Sequence, residues 1–317
     1  MSLFKQSISS SEQYSRANID SLLALANELK SLDSLGRVPQ CLTGRVMSSL
    51  FFENSSRTYC SFVAAMQKLG GSVVSLPIES SSFASKGESL FDTIKTVDSY
   101  SDVIVLRHPD PNAISVACGA TEHSVVLNAG NGAGEHPTQA LLDVFTIHSE
   151  LGRIDDLNVV LVGDLKFGRT VHSLSKLLGK FNNVRLYCVA HDSLQMPNEV
   201  LKSLDSVSVS LHNELTKELV SEADVIYVTR VQKERFSTEE EYEAVKGKFC
   251  VNASLLSTAK PAGQMVVMHP LPRNEELSTD LDSDPRAAYF RQMRYGLYAR
   301  MALLIETLGA SLLSTCE

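Results

Sequence analysis

The first half of the chain alternates short apolar runs with longer segments in which apolar residues recur every three or four positions. The segment 22–32 has this helical spacing, and so does the segment that holds Phe62, Ala65, Met66 and Leu69. Two further helices are predicted at 90–100 and from about 137 to 148. The predicted strands of this half are 46–52, 73–76, 103–106 and 125–128.

The second half repeats this rhythm. Strands are predicted at 158–162, 184–189, 224–228 and 265–268, and helices at 171–178, 215–221 and 287–313. Alternating strands and helices indicate an α/β protein with two doubly wound parallel sheets. Because 317 residues exceed one ordinary core, we expect two domains, 1–140 with the end of the last helix at 293–317, and 141–292. The last helix is long enough to return to the first domain.

Composition and charge restrict the function. The chain is 44% hydrophobic and 21% charged, as globular proteins are, and its net charge of -8 argues against nucleic acid or an anionic membrane as a partner. It has neither an apolar run of about 18 residues nor an apolar block near its start, so we expect a cytoplasmic protein. The cysteines are scattered, which favours reduced core thiols over a metal site: Cys41, Cys60, Cys118, Cys188, Cys250 and Cys316.

An anionic ligand of this acidic chain needs a local cluster of donors, and such clusters follow the predicted strands. Ser55, Ser56, Arg57 and Thr58 come after the first strand and open a helix. Helix N-terminal amides, hydroxyls and a guanidinium together make a phosphate site without a glycine-rich loop. The alternative is that Ser55 or Ser56 caps the helix and Arg57 is a solvated charge.

Two more strand ends carry candidate residues. Arg107 ends the third strand, although a single arginine after a strand is more often a surface residue. His136 follows a glycine-rich turn and precedes Pro137, a residue suited to the first position of a helix. A helix N-terminus disfavours the imidazolium, so a neutral His136 is suited to donate a hydrogen bond to a polarised oxygen; a core or capping histidine is the alternative.

Together, the Ser-x-Arg-Thr motif at 55–58, the strand-end Arg107 and the His-Pro-x-Gln motif at 136–139 resemble the carbamoyl phosphate motifs of the aspartate and ornithine carbamoyltransferases. The resemblance covers nearly the whole chain. It implies the carbamoyltransferase fold, a homotrimer, a carbamoyl phosphate-binding domain at 1–140 with 293–317, and an acceptor domain at 141–292. It implies no metal and no organic cofactor.

The resemblance also implies roles for single residues. Thr58, Arg107 and His136 would stabilise the carbonyl oxygen, and Gln139 would bind the carbamoyl amine. Backbone carbonyls would reach the substrate nitrogens from Leu271 and Pro272. The phosphate would be held by Ser55, Ser56, Arg57, Thr58 and Lys86, with Ser56 standing where the family usually carries threonine.

The Ser-x-x-x-Lys-Gly-Glu motif at 82–88 matches a loop of the family. The match implies that Ser82 and Lys86 enter the active site of a neighbouring subunit. Without it, a serine-rich stretch with a lysine is typical of a flexible surface loop.

The second half of the chain indicates the acceptor. The segments 230–235 and 269–273 resemble the aspartate branch, and the cysteine and Ser-Met-Gly motifs expected for ornithine are absent. Arg169, Arg230 and Gln232, with Lys86, suit a dicarboxylate. The expected reaction converts carbamoyl phosphate and L-aspartate to N-carbamoyl-L-aspartate and phosphate, in de novo pyrimidine biosynthesis. The segments 268–270 and 282–291 resemble the corresponding domain of the fused eukaryotic pyrimidine-synthesis protein, and the residues leave open whether this chain is separate or such a domain.

Two other classes of protein fit less well. Gly163 and Gly168 follow a strand but lack the spacing of a dinucleotide-binding fingerprint. A non-catalytic scaffold of the same fold should have a broken site, whereas every expected position is filled. Domain closure around two acidic substrates would allow Glu53 to pair with Arg169 or Arg235.

Overall fold

The computed structural model describes residues 2–76, 87–233 and 236–312. Ser82, Lys86 and Arg235 lie outside these ranges. The chain divides into two compact units, unit 1 (1–145 and 293–317) and unit 2 (146–292). The sequence predicts the first domain boundary between residues 140 and 141, whereas the two compact units meet in the sequence between 145 and 146.

The strands are β1 (Val46–Phe51), β2 (Ser72–Leu76), β3 (Val103–His108), β4 (Val125–Asn131), β5 (Asn158–Val162), β6 (Arg185–Val189), β7 (Ser208–His212), β8 (Val225–Val228) and β9 (Val266–Met268). The helices are α1 (Arg16–Ser34), α2 (Ser56–Lys68), α3 (Leu90–Asp98), α4 (Ala113–Ala120), α5 (Pro137–Leu151), α6 (Arg169–Leu178), α7 (Asn198–Lys202), α8 (Lys217–Glu222), α9 (Glu239–Glu243) and α10 (Tyr289–Leu308). Short 3-10 turns occur at Ser11–Gln13, Asp192–Leu194, Leu255–Thr258 and Thr279–Leu281.

Unit 1 contains a parallel sheet in the order β2-β1-β3-β4. The central strands are buried almost throughout, as expected for a parallel sheet covered on both faces, whereas the edge strand β2 is largely exposed. Part of the core consists of Leu50, Ile104, Leu106 and Val126 packed with Ile94 of α3.

Unit 2 contains a second parallel sheet, in the order β7-β6-β5-β8-β9. Its core includes Val160, Val162, Ile226, Val228 and Val267. In both sheets the neighbouring strands run in one direction, so their C-terminal ends lie at one edge. The predicted α/β class with two parallel sheets and a long C-terminal helix is confirmed.

Helices α4, α7 and α9 and strand β7 were not predicted from the sequence, and several element ends differ from the prediction. The last helix was predicted at 287–313 and spans Tyr289–Leu308 within the described residues. The prediction of core thiols is wrong in part, because Cys188 is buried whereas Cys60 is exposed. Within the described ranges, no helix has the length and apolar composition needed to cross a membrane.

Candidate active site

The sheet of unit 1 brings the predicted carbamoyl phosphate residues to one edge. Strands β1, β3 and β4 are adjacent and parallel, with Phe51 opposite Arg107 and His108 opposite Asn131. Arg107 lies near the C-terminal end of β3, and the segments that follow β1 and β4 carry Ser55–Thr58 and His136. Ligands of such sheets bind beyond this edge.

The first turn of α2 is arranged to bind an anion. Ser55 occupies the N-cap position but makes no side-chain cap hydrogen bond; its hydroxyl donates to Thr58 Oγ1 at 3.1 Å. The first intrahelical bond runs from Tyr59 N–H to the Ser55 carbonyl at 3.0 Å, so the amides of Ser56, Arg57 and Thr58 precede the helical ladder. Simple capping by the Ser55 side chain is therefore wrong, and the geometry suits a phosphate.

Arg107 is an interior residue and not a surface one. Its side chain is 9% exposed, with Nη1 donating to the Ala129 carbonyl at 3.3 Å and Nη2 lying 3.1 Å from Glu53 Oε1. Glu53 thus pairs with Arg107 within unit 1, a partner that the sequence analysis missed. Its pairing with Arg169 or Arg235 in a closed state stays a prediction.

The turn before α5 is built around glycine and an asparagine side chain. Gly132 has φ +55°, and a Cβ there would lie 2.3 Å from the Pro109 carbonyl oxygen, so no other residue fits without a shift. The Asn131 side-chain oxygen accepts the Glu135 N–H at 2.8 Å. This packing sets the position of His136, the next residue.

His136 is 3% exposed and stands directly before α5. Its carbonyl accepts the N–H groups of Gln139 at 3.0 Å and Ala140 at 3.1 Å, while its Nδ1 lies 3.4 Å from Thr138 Oγ1. The backbone carbonyl of His136 therefore caps α5. The capping alternative is correct for this backbone group. The imidazole remains a candidate for the reaction.

Gln139 is buried and bonds to an aspartate that was not predicted from the sequence. Its Nε2 donates to Asp143 Oδ1 at 2.9 Å, and this bond makes Oε1 the atom suited to accept from a ligand. The spacing of four residues on one helix is the signal that would have indicated Asp143.

In unit 2, strands β5, β8 and β9 are adjacent, and the predicted acceptor residues follow their C-terminal ends. Asp164 is fully buried in the turn after β5, where Oδ1 accepts from Phe167 N–H at 2.9 Å and Oδ2 from Gln232 Nε2 at 3.4 Å. Burial raises the pKa of Asp164 despite these bonds. The turn that leads to Arg169 is thereby joined to the segment of Arg230 and Gln232.

The His-Pro-Leu-Pro segment after β9 is held by the buried His269, which the sequence placed in the motif without a role for its side chain. His269 Nδ1 accepts the Leu271 N–H at 2.8 Å, so Nε2 carries the ring proton and donates to Glu276 Oε1 at 2.9 Å. Burial alone would raise the pKa of Glu276, but hydrogen bonds from His269 and Asn274 hold it below its usual value. Leu271 has φ +58° and precedes Pro272 through a cis peptide bond.

Two family models match this sequence. The carbamoyl-P binding domain of the aspartate/ornithine carbamoyltransferases matches residues 6–149, and the Asp/Orn binding domain of the same family matches residues 155–307.

Among curated proteins, the multifunctional protein pyr1-3 of Dictyostelium discoideum is 48% identical over 98% of this chain. The chain spans only 14% of that protein's length, and similarly small shares of other multifunctional relatives. The aspartate carbamoyltransferase catalytic subunit of Vibrio vulnificus is 44% identical over 98% of this chain and 99% of its own length.

Among solved structures, aspartate transcarbamoylase of Trypanosoma cruzi in complex with carbamoyl phosphate and aspartate has a TM-score of 0.92 at 51% identity. The match covers 96% of this chain and 98% of that one. The same enzyme in complex with N-(phosphonacetyl)-L-aspartic acid has a TM-score of 0.92 at 52% identity, covering 96% and 97%.

Proposed function

Because this chain belongs to the aspartate/ornithine carbamoyltransferase family, we propose that it transfers the carbamoyl group of carbamoyl phosphate to the amino group of L-aspartate. The proposal rests chiefly on the edge of the unit 1 sheet. There, adjacent strand ends carry a helix N-terminus, the buried Arg107 and the buried His136. Similarity to enzymes of the aspartate branch supports the choice of acceptor.

The reaction begins when the uncharged amine of aspartate attacks the carbonyl carbon. A C–N bond forms, the carbonyl oxygen gains negative charge, and the C–O bond to phosphate then breaks. Phosphate leaves and accepts the proton that the amine releases, so no side chain has to act as a general base. Holding the two reactants in place contributes on the order of 7 to 11 kcal/mol. Donors from Thr58, Arg107 and His136 stabilise the charged oxygen.

The first turn of α2 binds the phosphate through Ser55, Ser56, Arg57 and Thr58, and Lys86 adds a cation. Ser56 offers its backbone N–H, a role that is independent of the serine replacing threonine. Gln139 Oε1 accepts from the carbamoyl amine, and the backbone carbonyls of Leu271 and Pro272 accept from the substrate nitrogens. The aspartate carboxylates are bound by Arg169, Arg230, Gln232 and Lys86.

We further propose a cytoplasmic homotrimer in which Ser82 and Lys86 serve a neighbouring subunit's site, acting in pyrimidine synthesis without a metal or organic cofactor. The cysteines that the structure describes are free thiols, which supports a reducing compartment; they are Cys41, Cys60, Cys118, Cys188 and Cys250. The Vibrio vulnificus relative is a catalytic subunit, and the other curated relatives are multifunctional proteins. Both kinds of relative contain the region that this chain matches.

The activity is tested by a colorimetric assay of ureido product, with carbamoyl phosphate and either aspartate or ornithine as acceptor. Aspartate is expected to be the preferred acceptor by a wide margin, since carboxylates suit Arg169 and Arg230. Faster turnover of ornithine would overturn the assignment of acceptor. Absence of product with both acceptors would overturn the activity.

Replacing His136 with alanine is expected to lower kcat about 100- to 1,000-fold, the usual effect of losing one donor to a developing oxyanion. The Michaelis constant for carbamoyl phosphate should change far less, because the hydrogen bond strengthens as charge develops on the oxygen. Steady-state kinetics at saturating aspartate measure both constants. An effect confined to the Michaelis constant would make His136 a binding residue only.

A further inference from the structure

A buried aspartate and a buried arginine of unit 1 interact electrostatically. Asp143 is fully buried on α5, one turn after Gln139, and accepts its amide N–H at 2.9 Å. Arg300 is 4% exposed on α10. Burial lowers the pKa of Arg300 to about 10, and the charge of Asp143 opposes this effect. None of the roles proposed above uses either charge.

Arg300 is fixed on several sides. Its Nη1 donates to Ser61 Oγ at 2.8 Å, and its guanidinium stacks over the Phe62 ring at 5.1 Å. A Cβ at Gly296 would lie 3.0 Å from Nη1, so the glycine makes room for the guanidinium. Ser61 and Phe62 belong to α2, whose first turn is the proposed phosphate site. The guanidinium of Arg300 therefore packs against α2, a helix that carries proposed substrate residues.

A glutamine amide has an acceptor at one end and a donor at the other, and its neighbours decide which end faces a ligand. A carboxylate accepts hydrogen bonds but cannot donate one. While Asp143 is ionised, only Nε2 of Gln139 can bond to it, and Oε1 must then be the atom offered to substrate. The amine of carbamoyl phosphate is a donor, so this orientation is the productive one.

We propose that Asp143 is a positioning residue that sets the amide orientation of Gln139 through the hydrogen bond between them. This inference rests on the proposed role of Gln139 in binding the carbamoyl amine. It makes recognition of that amine depend on a residue that does not touch the substrate.

Acetyl phosphate provides the probe, because it replaces the amine of carbamoyl phosphate with a methyl group of similar size. The ratio of the two dissociation constants, measured by titration calorimetry without aspartate, reports the hydrogen bonds made to the amine. In Asp143→Asn, the side chain gains an amide that can donate to Gln139 Oε1. Gln139 then reverses and presents N–H groups to the amine, and the preference for carbamoyl phosphate should fall about tenfold or more.

Two further variants separate positioning from general damage. Asp98→Asn alters another buried carboxylate of unit 1, one that accepts from Ser124 Oγ at 2.6 Å, and should lower stability without changing the preference. Asp143→Leu with Arg300→Met removes both charges, which proteins tolerate better than an unpaired one, and should also reduce the preference. This double variant decides the matter if Asp143→Asn fails to fold.

Gln139→Ala distinguishes the inference from the function on which it rests. If its preference for carbamoyl phosphate falls while folded Asp143 variants keep the original preference, Asp143 does not position Gln139 and the inference is overturned. If Gln139→Ala itself keeps the original preference, the role of Gln139 in binding the amine is wrong. A reduced preference in both, with Asp98→Asn unchanged, supports the inference.

Discussion

Arg107→Ala and Lys86→Ala are each expected to be nearly inactive, and their co-expression is expected to restore activity that neither has alone. Arg107 lies beside the proposed carbonyl site of its own chain, and the loop of Lys86 is proposed to serve the next subunit. In a cyclic trimer every interface is head to tail, so each site takes one loop from one neighbour. A Lys86→Ala chain that supplies Arg107, next to an Arg107→Ala chain that supplies the loop, rebuilds one intact site.

With equal expression and random assembly, about a quarter of the sites have this arrangement. Differently tagged variants allow hybrid trimers to be purified and assayed beside both parents. Doubly mutated Arg107→Ala, Lys86→Ala chains mixed with unmutated chains give the matched control, because they also leave about a quarter of the sites intact. Hybrids as inactive as their parents would mean that Arg107 and Lys86 act within one chain.

The sequence was sufficient to predict the residues that follow the strands. Buried parallel strands can be recognised in a single sequence as short apolar runs, and their C-terminal ends meet at one edge of the sheet. The sequence alone therefore predicts that the residues at these strand ends lie together, namely Ser55–Thr58, Arg107 and His136. Helix α4 was missed although Ala113, Ile114, Ala117 and Ala120 have helical spacing, because the segment is only eight residues long.

Contacts between charged side chains were not predictable in this way. Glu53 was expected to pair with Arg169 or Arg235, yet it lies 3.1 Å from Arg107, which sheet register brings beside it. Asp143 and Arg300 are far apart in the sequence, and their relation appears only when α10 packs in unit 1. Pairing of this kind depends on burial and distance, which periodicity does not contain.

The proposed choice of aspartate depends on arginines of unit 2, and Arg230 is the one whose loss should affect aspartate most directly. It follows β8, which lies beside β5 in the sheet, and the neighbouring Gln232 bonds to Asp164 in the turn before Arg169. Arg169 and Arg230 thus lie on two segments that the hydrogen bond between Gln232 and Asp164 joins. Two carboxylates of a small acceptor are best matched by two such planar donors.

Arg230→Ala is expected to raise the Michaelis constant for aspartate about 100-fold or more, since truncating one partner of a desolvated charge pair costs roughly 2–5 kcal/mol. The dissociation constant of carbamoyl phosphate, measured by calorimetry without aspartate, should stay within about twofold, because the side chains proposed to bind it belong mainly to unit 1. Arg153→Ala is the matched control: it removes an arginine of unit 2 that pairs with Asp224 at 3.0 Å at the N-terminal edge of the sheet. That variant should lower stability and leave the Michaelis constant for aspartate unchanged. Equal losses of affinity for both substrates in Arg230→Ala would show that Arg230 supports the fold and does not select the acceptor.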